Sequence, residues 1–319
     1  MARFIARRIL VMLATMLAVS FIVFAALEHN IEDVATHVLG QFATADQRHS
    51  WLRENGYFDP FLVRYLRWLY GFVSGNWGVS THFKEPVRAL IADYLWQSAL
   101  LSGLSLLLMV PLALALGVLA GMREGSLLDR AISILSIATT SIPQFASAVF
   151  LSVVFVFWLG LLPGASAMTS GFEWKEMVMP VMVLTLAGAG YLARMTRASM
   201  VEVMASPYIR TAQMKGASFA RIVLRHALRN ALVAPVTVIM LYIPWLLSNV
   251  IVVEAYFGYR GFGTLIYTAS LQHDVYLIEA GTMVAVIAVV GTQLLSDLAN
   301  VWLNPRVDFA TPVSTKATL

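Results

Sequence analysis

Between two long apolar blocks the chain reads Tyr208-Ile209-Arg210-Thr211-Ala212-Gln213-Met214-Lys215-Gly216-Ala217-Ser218-Phe219-Ala220-Arg221-Ile222-Val223-Leu224-Arg225-His226-Ala227-Leu228-Arg229-Asn230. Local chemistry divides this stretch into two short helices. Ser206 is a suitable N-cap, and Pro207 suits the first helical position because its missing amide would be unpaired there anyway. Gly216 is placed to end that helix in the left-handed conformation, with the Lys215 charge beside the negative end of the helix dipole. Ser218 can cap a second helix, on which Phe219, Ile222, Val223 and His226 share one face at i, i+3, i+4 and i+7. Arg221, Arg225 and Arg229 repeat every four residues on another face. An amphipathic elbow results, with one apolar and one basic face. Helices this short are marginal in water, so the elbow is expected to dock. Two surfaces suit it: the anionic inner leaflet of a membrane, or a groove on a cytoplasmic partner.

Outward from the elbow, the composition is that of a chain solvated by lipid: 59% of residues are hydrophobic and 13% are charged, where water-soluble domains carry about a quarter charged. The apolar residues fall into six blocks, Ile9 to Leu27, Gln97 to Gly121, Ala131 to Gly160, Met177 to Ala198, Asn230 to Ala255 and Tyr276 to Leu303. Each is near the roughly 20 residues needed to cross about 30 Å of hydrocarbon. No charge appears from Ala131 to Phe172, and Leu162-Pro163-Gly164 marks where the third helix leaves the membrane. Pro111, Pro143, Pro180, Pro235 and Pro244 predict kinks within a multi-helix bundle. Gly117 and Gly121 have the spacing of a close helix crossing.

Of the 22 Lys and Arg residues, 14 fall in the N-terminus, 122–130, 194–229 and the tail, and 6 of the other 8 lie in the long segment 28–96. Long segments translocate regardless of charge, so both termini are expected in the cytoplasm. The 19-residue uncharged run Ile9 to Leu27 follows Arg3, Arg7 and Arg8, and it exceeds the roughly 7 to 15 apolar residues of a cleavable signal. It is read as an anchor. The expected organisation is therefore an anchor helix at 1–27, an extracytoplasmic segment at 28–96, a five-helix core at 97–303 with its cytoplasmic loop at 200–229, and a cytoplasmic tail at 304–319. Within 28–96, Arg64-Tyr65-Leu66-Arg67-Trp68-Leu69-Tyr70 has the mixed aromatic and arginine content of a helix lying at the membrane interface. A packed cap without binding chemistry is the other reading.

Several functions are excluded. There is no cysteine, so no disulfide or thiolate chemistry exists. The basic residues form no concentrated stripe of the kind that binds nucleic acid. His29, His37, His49, His82, His226 and His273 show no metal-ligand spacing, and His226 is read as part of the elbow's inner face. No Gly-Lys dipeptide occurs, so the chain has no phosphate loop and no ATPase site of its own. No catalytic residue and no bound cofactor are expected. Glu254, Glu279 and Asp297 lie near the ends of spans, where water is close, and are read as structural before functional.

The elbow resembles the coupling loop of inner-membrane permease subunits of ABC importers, whose motif centres on an Ala with a Gly four residues later, here Ala212 and Gly216. Tyr208-Ile209-Arg210-Thr211-Ala212, Lys215-Gly216 and His226-Ala227-Leu228-Arg229-Asn230-Ala231-Leu232 resemble more narrowly the dipeptide, oligopeptide and nickel branch. Arg3-Phe4-Ile5-Ala6-Arg7-Arg8, Val19-Ser20-Phe21-Ile22-Val23-Phe24, Arg64-Tyr65-Leu66, Gly75-Asn76-Trp77-Gly78-Val79-Ser80, Ser141-Ile142-Pro143, Glu254-Ala255-Tyr256-Phe257 and Asn304-Pro305-Arg306 match further landmarks. The chain departs from the family at Asn30-Ile31-Glu32-Asp33, where Pro-Gly-Asp-Pro is usual, and at Arg260-Gly261-Phe262-Gly263, where Pro-Gly-Leu-Gly is usual.

The resemblance implies an all-α membrane protein of about six spans, a type I ABC importer-like permease bundle in the inner membrane. It implies as partners a second homologous permease subunit, two cytoplasmic ATPase subunits or domains that bind the ATP and Mg, and an external substrate-binding protein. The implied cargo is a peptide or peptide-like small solute. Ala212 and Gly216 become the expected fit-critical coupling residues, and Arg210, Lys215 and Arg225 the polar contacts to the ATPase. Thr139, Ser141, Pro143 and Glu254 are expected along the translocation pathway. A self-contained secondary transporter is the alternative, and it would need ionisable groups near mid-membrane or inverted repeats. A membrane hydrolase would need paired catalytic groups facing one cavity. Neither pattern is evident.

Overall fold

A computed structural model describes residues 2–28, 31–40, 42–168, 171 and 173–303. His29, Asn30, Phe172 and the tail from 304 to 319, with Asn304-Pro305-Arg306, lie outside the described residues. The helices are α1 (Ala2–Leu27), α2 (Ile31–Leu39), α3 (Ala45–Glu54), α4 (Phe61–Ser74), α5 (Val87–Gly121), α6 (Leu127–Ser141), α7 (Gln144–Ser152), α8 (Trp174–Met204), α9 (Pro207–Met214), α10 (Phe219–Arg221), α11 (Leu228–Ala231), α12 (Val233–Phe257), α13 (Phe262–Leu271) and α14 (Val275–Leu303). π-helical turns at Val153–Trp158 and Ile222–Ala227 extend α7 and join α10 to α11. Among the described residues the only β feature is an isolated bridge between Val79 and Pro86. The all-α membrane architecture is thus what forms, as expected where backbone groups must be satisfied within each segment.

Four stretches, Ala6–Leu27, Val87–Gly121, Trp174–Met204 and Val275–Ala299, are long and apolar enough to cross a membrane. Two bent pairs raise the number to six if each counts as one span. One of those pairs corrects the sequence reading. The block from Ala131 to Gly160 is not one helix: α6 stops at Ser141, Ile142 is extended (φ −88°, ψ 125°), and α7 starts after Pro143 with a bend of 105°. Proline pushes the residue before it out of the helical region and has no amide to continue the ladder. Pro111, Pro180 and Pro244 lie within helices that continue past them. A second correction moves a boundary: α5 begins at Val87, not Gln97, so part of the expected outer segment is helical lead-in to the span.

The described residues divide into two compact units. The first comprises 1–106, 143–185 and 246–291. In it, Phe24 of α1 is buried and meets Phe61 and Tyr65 of α4 edge-on, with centroids 5.4 and 5.6 Å away. Ser20 Oγ and Tyr65 OH are 2.8 Å apart. Val34, Ala35, Leu52 and Tyr57 form a small core with Val275, each large apolar side chain contributing roughly 1.5–3 kcal/mol where water is the alternative. The opposite face of α4 leaves Leu62, Leu66, Tyr70 and Val73 exposed, which suits a helix at the membrane interface. The segment is therefore packed on one side and exposes apolar side chains on the other.

Family landmarks after α4 serve turns. Gly75 ends α4 at φ +83°, where a side chain would be strained. Trp77 stacks on Phe72 and donates Nε1–H to the Phe72 carbonyl at 2.8 Å. Ser80 Oγ donates to Asp274 at 2.5 Å, and the His82 amide donates to the same carboxylate at 3.1 Å. Asp274 also accepts from the Leu277 amide at 3.3 Å, so it caps α14. A second core of this unit joins Val87, Leu90, Ile91 and Tyr94 of α5 to Leu265, Ala269, Leu277 and Ala280.

The second unit comprises, of the described residues, 107–142, 186–245 and 292–303. Here the Gly117 and Gly121 spacing proves to be a close approach of α5 and α8. A Cβ on Gly121 would lie 2.6 Å from Met200 Cβ and 2.9 Å from the Arg197 carbonyl, and one on Gly117 would collide with Thr196. In lipid, where apolar side chains gain little by leaving the solvent, such small-residue contact is a main source of helix association.

Two outcomes are expected. Gly121→Val overpacks that crossing and costs about 1–3 kcal/mol, read as a lowered thermal midpoint in detergent, whereas Gly103→Val, whose Cβ would meet nothing within 4 Å, leaves the midpoint unchanged. The second concerns Glu28, which burial raises from 4.5 to about 7 against the opposing pull of Arg64 and Tyr57. Between those two values the folded state holds a proton that the unfolded chain has lost. Stability is therefore greatest below the lower value, falls as pH rises through the window by at most about 3 kcal/mol, and is flat above it. Tryptic cleavage within 45–74 is expected to be slower at pH 5.5 than at pH 8 relative to an unfolded control peptide, and Glu28→Gln abolishes the difference.

Candidate functional site

The elbow forms where it is expected. Ser206 takes the extended conformation before α9 (φ −71°, ψ 149°), Pro207 is the first helical residue, and Gly216 is left-handed at φ +75°. The Gly216 amide donates to Gln213 at 2.9 Å and the Ala217 amide to Ala212 at 3.2 Å, closing the end of the helix. A Cβ on Gly216 would meet nothing within 4 Å. The backbone angle, rather than space, calls for glycine there. The caps differ in detail: Ser206 donates its hydroxyl to the Val203 carbonyl at 2.6 Å, and neither Ser206 nor Ser218 makes a side-chain cap bond.

The inner face of the second limb is the larger correction. Ile222, Val223, Ala227 and Ala231 are buried, while Phe219 is exposed and His226 only half-buried. The reason is the π-helical turn at Ile222–Ala227: its i→i+5 bonding widens each turn to more than four residues, so Ala227 aligns with Ile222 and Val223, five and four positions earlier, where a 3.6-residue helix would bring up His226. These side chains pack with Ile209, with Met200 of α8 and with Val118 and Met122 at the end of α5 and beyond it. Ser199 Oγ donates to the Ala231 carbonyl at 2.8 Å, and Asn230 Nδ2 donates to Tyr208 OH at 3.0 Å, tying the two limbs together.

The elbow's apolar face is thus covered by its own chain. Ala212 is half-buried against this core, where a small side chain permits close packing. What faces outward is a second surface: Met214, Phe219 and Leu224, the last two at 50% and 70% exposure, among the exposed Arg210, Lys215, Arg221 and Arg225. Apolar side chains ringed by one sign of charge are the makings of a protein contact.

An ion pair that the sequence reading missed lies behind the elbow. Arg197 of α8 grips buried Asp129 of α6 with both Nε and Nη2, the latter at 2.7 Å. Asp129 Oδ2 also accepts from the Gly125 amide at 2.8 Å, and the Asp129 amide donates to Ser126 Oγ at 3.2 Å. The available signal was Ser126-Leu127-Leu128-Asp129, a helix start with an acid at the third position.

Of the residues expected along the pathway, Thr139 and Ser141 stand at the end of α6 and bond back to their own helix, at 3.2 Å to Ser136 and 2.8 Å to Ile137. Pro143 is exposed at the break. Thr140 borders a cavity of about 400 Å³ lined also by Tyr191, Arg194, Leu241, Tyr242 and Trp245. Glu254 is instead wholly buried: it accepts a hydrogen bond from Ser98 and another, at 3.1 Å, from the Thr264 amide, so it caps α13. Ser98 Oγ accepts in turn from the Phe262 amide at 2.7 Å. A Cβ at Gly261 would strike the Glu254 carboxylate, which explains the glycine in Arg260-Gly261-Phe262-Gly263. Its polar atoms are engaged within the chain, a structural arrangement rather than a cavity wall.

Arg197→Ala strands the Asp129 charge and is expected to cost on the order of 3 kcal/mol. Arg197→Lys recovers only part of this, lacking the two-pronged grip. The Asp129→Asn, Arg197→Gln double variant costs less than Arg197→Ala alone; thermal midpoints of the four proteins in one detergent test the order.

Compared with known proteins, residues 113–309 match the family described as binding-protein-dependent transport system inner membrane component, and residues 1–94 match its N-terminal counterpart. The chain is 31% identical to the oligopeptide transport system permease protein AppB of Bacillus subtilis (strain 168), over 97% of this chain and all of that one. It is 30% identical to the metal-staphylopine import system permease protein CntB of Staphylococcus aureus (strain NCTC 8325 / PS 47), over 96% and 98% of the two chains. It is 29% identical to the glutathione transport system permease protein GsiC of Shigella flexneri serotype 5b (strain 8401), over 97% and 100%. Among solved structures, the crystal structure of an amino acid ABC transporter with histidines covers 66% of this chain and 93% of its own, with a TM-score of 0.52 and 15% identity. That likeness is one of fold.

Proposed function

The chain belongs to the binding-protein-dependent transport system inner membrane component family, and from that premise we propose that it is the multi-pass inner-membrane permease subunit of an ATP-driven importer for a peptide or peptide-like small solute. The observation that carries the coupling role is the outward surface of the elbow, where Met214, Phe219 and Leu224 stand exposed among basic side chains while the inward face is already packed. A leaflet-bound elbow would present its main apolar face to lipid; here that face is filled by α5 and α8.

In this reading both termini are cytoplasmic, the elbow seats in a cleft of a cytoplasmic ATPase, and that partner binds ATP and Mg. A second homologous permease subunit and a second ATPase subunit or domain complete the assembly, and an external binding protein delivers the solute. Arg210, Lys215 and Arg225 meet acidic groups of the ATPase, and Gly216 supplies the bend that lets α9 and the second limb enter one cleft. Movement of the ATPase pushes the elbow as a body. Ile222, Val223 and Ala227 pass the displacement to the inner ends of α8 and α5, because close-packed side chains transmit strain rather than absorb it. The bundle then changes between two packings biased by nucleotide and by loaded binding protein. The Thr139 to Pro143 break, where proline has no amide to continue the helix ladder, is a point on the pathway at which the chain can bend. The self-contained transporter reading is set aside, since the family is a component of binding-protein-dependent transport systems and the relatives are permease proteins of transport or import systems.

Phe219→Asp with Leu224→Asp alters only exposed side chains, so the subunit is expected to assemble in the membrane at normal levels. ATPase co-purification and uptake are expected to fall together by at least about tenfold, as for loss of an interface anchor. Normal co-purification and uptake by this variant, and by Gly216→Glu, would sink the coupling role of the elbow.

A further inference from the structure

The first unit contains a cavity of about 360 Å³ that the transport reading does not use. Its floor is made by Glu28, just after α1, and Glu279 of α14, at 7% and 2% exposure. Its walls include Tyr57, Trp68, Trp77 and Tyr276, and its mouth lies at the exposed Asn55, Arg67 and Gly78. The volume and the mix of aromatic surface with few polar groups are those of small-molecule sites.

The charges do not balance. Arg64 stands 3.5 Å from Glu28 Oε2, too far for a good hydrogen bond, and that oxygen accepts none. Arg67 is engaged by Asp59 at 2.6 Å. Glu279 Oε1 is buried, lines the cavity and accepts no hydrogen bond, and the charged group bearing on it is Glu28, of like sign. Tyr57 donates to the Glu28 side chain and Trp68 to that of Glu279, leaving one open oxygen on each, with one arginine beside the two acids. A buried acceptor of this kind is costly unless something donates to it.

We propose that this cavity binds a small organic ammonium ion, whose N–H groups donate to Glu279 and Glu28 while its body lies against the Tyr57, Trp68 and Tyr276 rings. The aromatic walls choose an organic cation over a metal: ring faces attract ammonium groups, and among the described residues no group of three or more His, Cys, Asp or Glu is placed to hold a metal ion. Arg64 offsets one of the two carboxylates, so a single positive charge completes the site. The inference rests on the permease reading only for the side of the membrane on which the mouth opens. Occupancy itself needs neither ATP nor transport.

The test uses the permease–ATPase complex in nanodiscs, accessible from both sides, without nucleotide and without the external binding protein. Isothermal titration with alanyl-alanine amide, which carries one ammonium and no carboxylate, is expected to show saturable binding, and N-acetyl-alanyl-alanine amide none. Glu279→Gln and, separately, Glu28→Gln are expected to weaken binding of the first probe at least about tenfold, the loss of one charge-assisted hydrogen bond. Gly103→Val, whose added side chain would meet nothing within 4 Å and which does not line the cavity, leaves it unchanged in the nanodisc complex. Equal affinity for the acetylated probe, no saturable binding by the native complex, or unchanged affinity in both glutamine variants each overturns the proposal. Because binding and uptake are measured separately, loss of one without the other identifies which reading has failed.

Discussion

The first amides of a helix have no partner within the helix, and where a helix start is buried in protein water cannot supply one either. Three buried carboxylates answer this need. Glu254 receives the Thr264 amide at the start of α13, Asp274 the Leu277 amide at the start of α14, and Asp129 the Gly125 amide beside the start of α6. Each also binds a distant side chain: Ser98, Ser80 and Arg197 respectively. One acid thus satisfies a helix end and fixes which other element lies against it. Placed in lipid without such partners, each would be a large penalty, so the same groups that make the packing specific forbid its alternatives.

Small residues complement these pins. Gly117 and Gly121 bring α5 against α8, and the glycines at 261 and 263 leave room for the Glu254 carboxylate. The elbow depends on the first of these crossings, since Met200, which meets Gly121 there, is the buried side chain on which Ile209, Ile222 and Val223 rest. The elbow is thus built on a close crossing of two helices. The cavity between Glu28 and Glu279 is the contrast: one oxygen of each carboxyl accepts no hydrogen bond. Satisfied carboxylates read as architecture and an unsatisfied one as a place for a ligand.

Much of the fold was legible in the residues. The apolar blocks marked the spans, Pro207 and Gly216 bounded the first limb of the elbow, and the Gly117 to Gly121 spacing pointed to a real crossing. Other features were not legible. A π-helical turn leaves no mark in a periodicity read at 3.6 residues, so Phe219 and His226 were assigned to a face that belongs to Ala227 and Ala231. The charge-free run after Ala131 looked continuous because hydropathy does not register the 105° break at Pro143. Glu254 and Glu279 both read as end-of-span charges, and nothing near them in the chain distinguishes an acid with all its acceptors filled from one with an open oxygen.

What the sequence determined by itself was whatever depends on solvent and on near neighbours: passage through lipid, helical secondary structure, the position of the elbow, and the absence of a phosphate loop. Tertiary structure alone decided which carboxylates are pinned, which helix faces are covered and where a cavity remains. The physical reason is separation along the chain. Ser80 and Asp274 are 194 positions apart, Ser98 and Glu254 156, and Asp129 and Arg197 68. Burial and hydrogen bonding depend on which of these distant groups meet, and composition and periodicity carry no record of it.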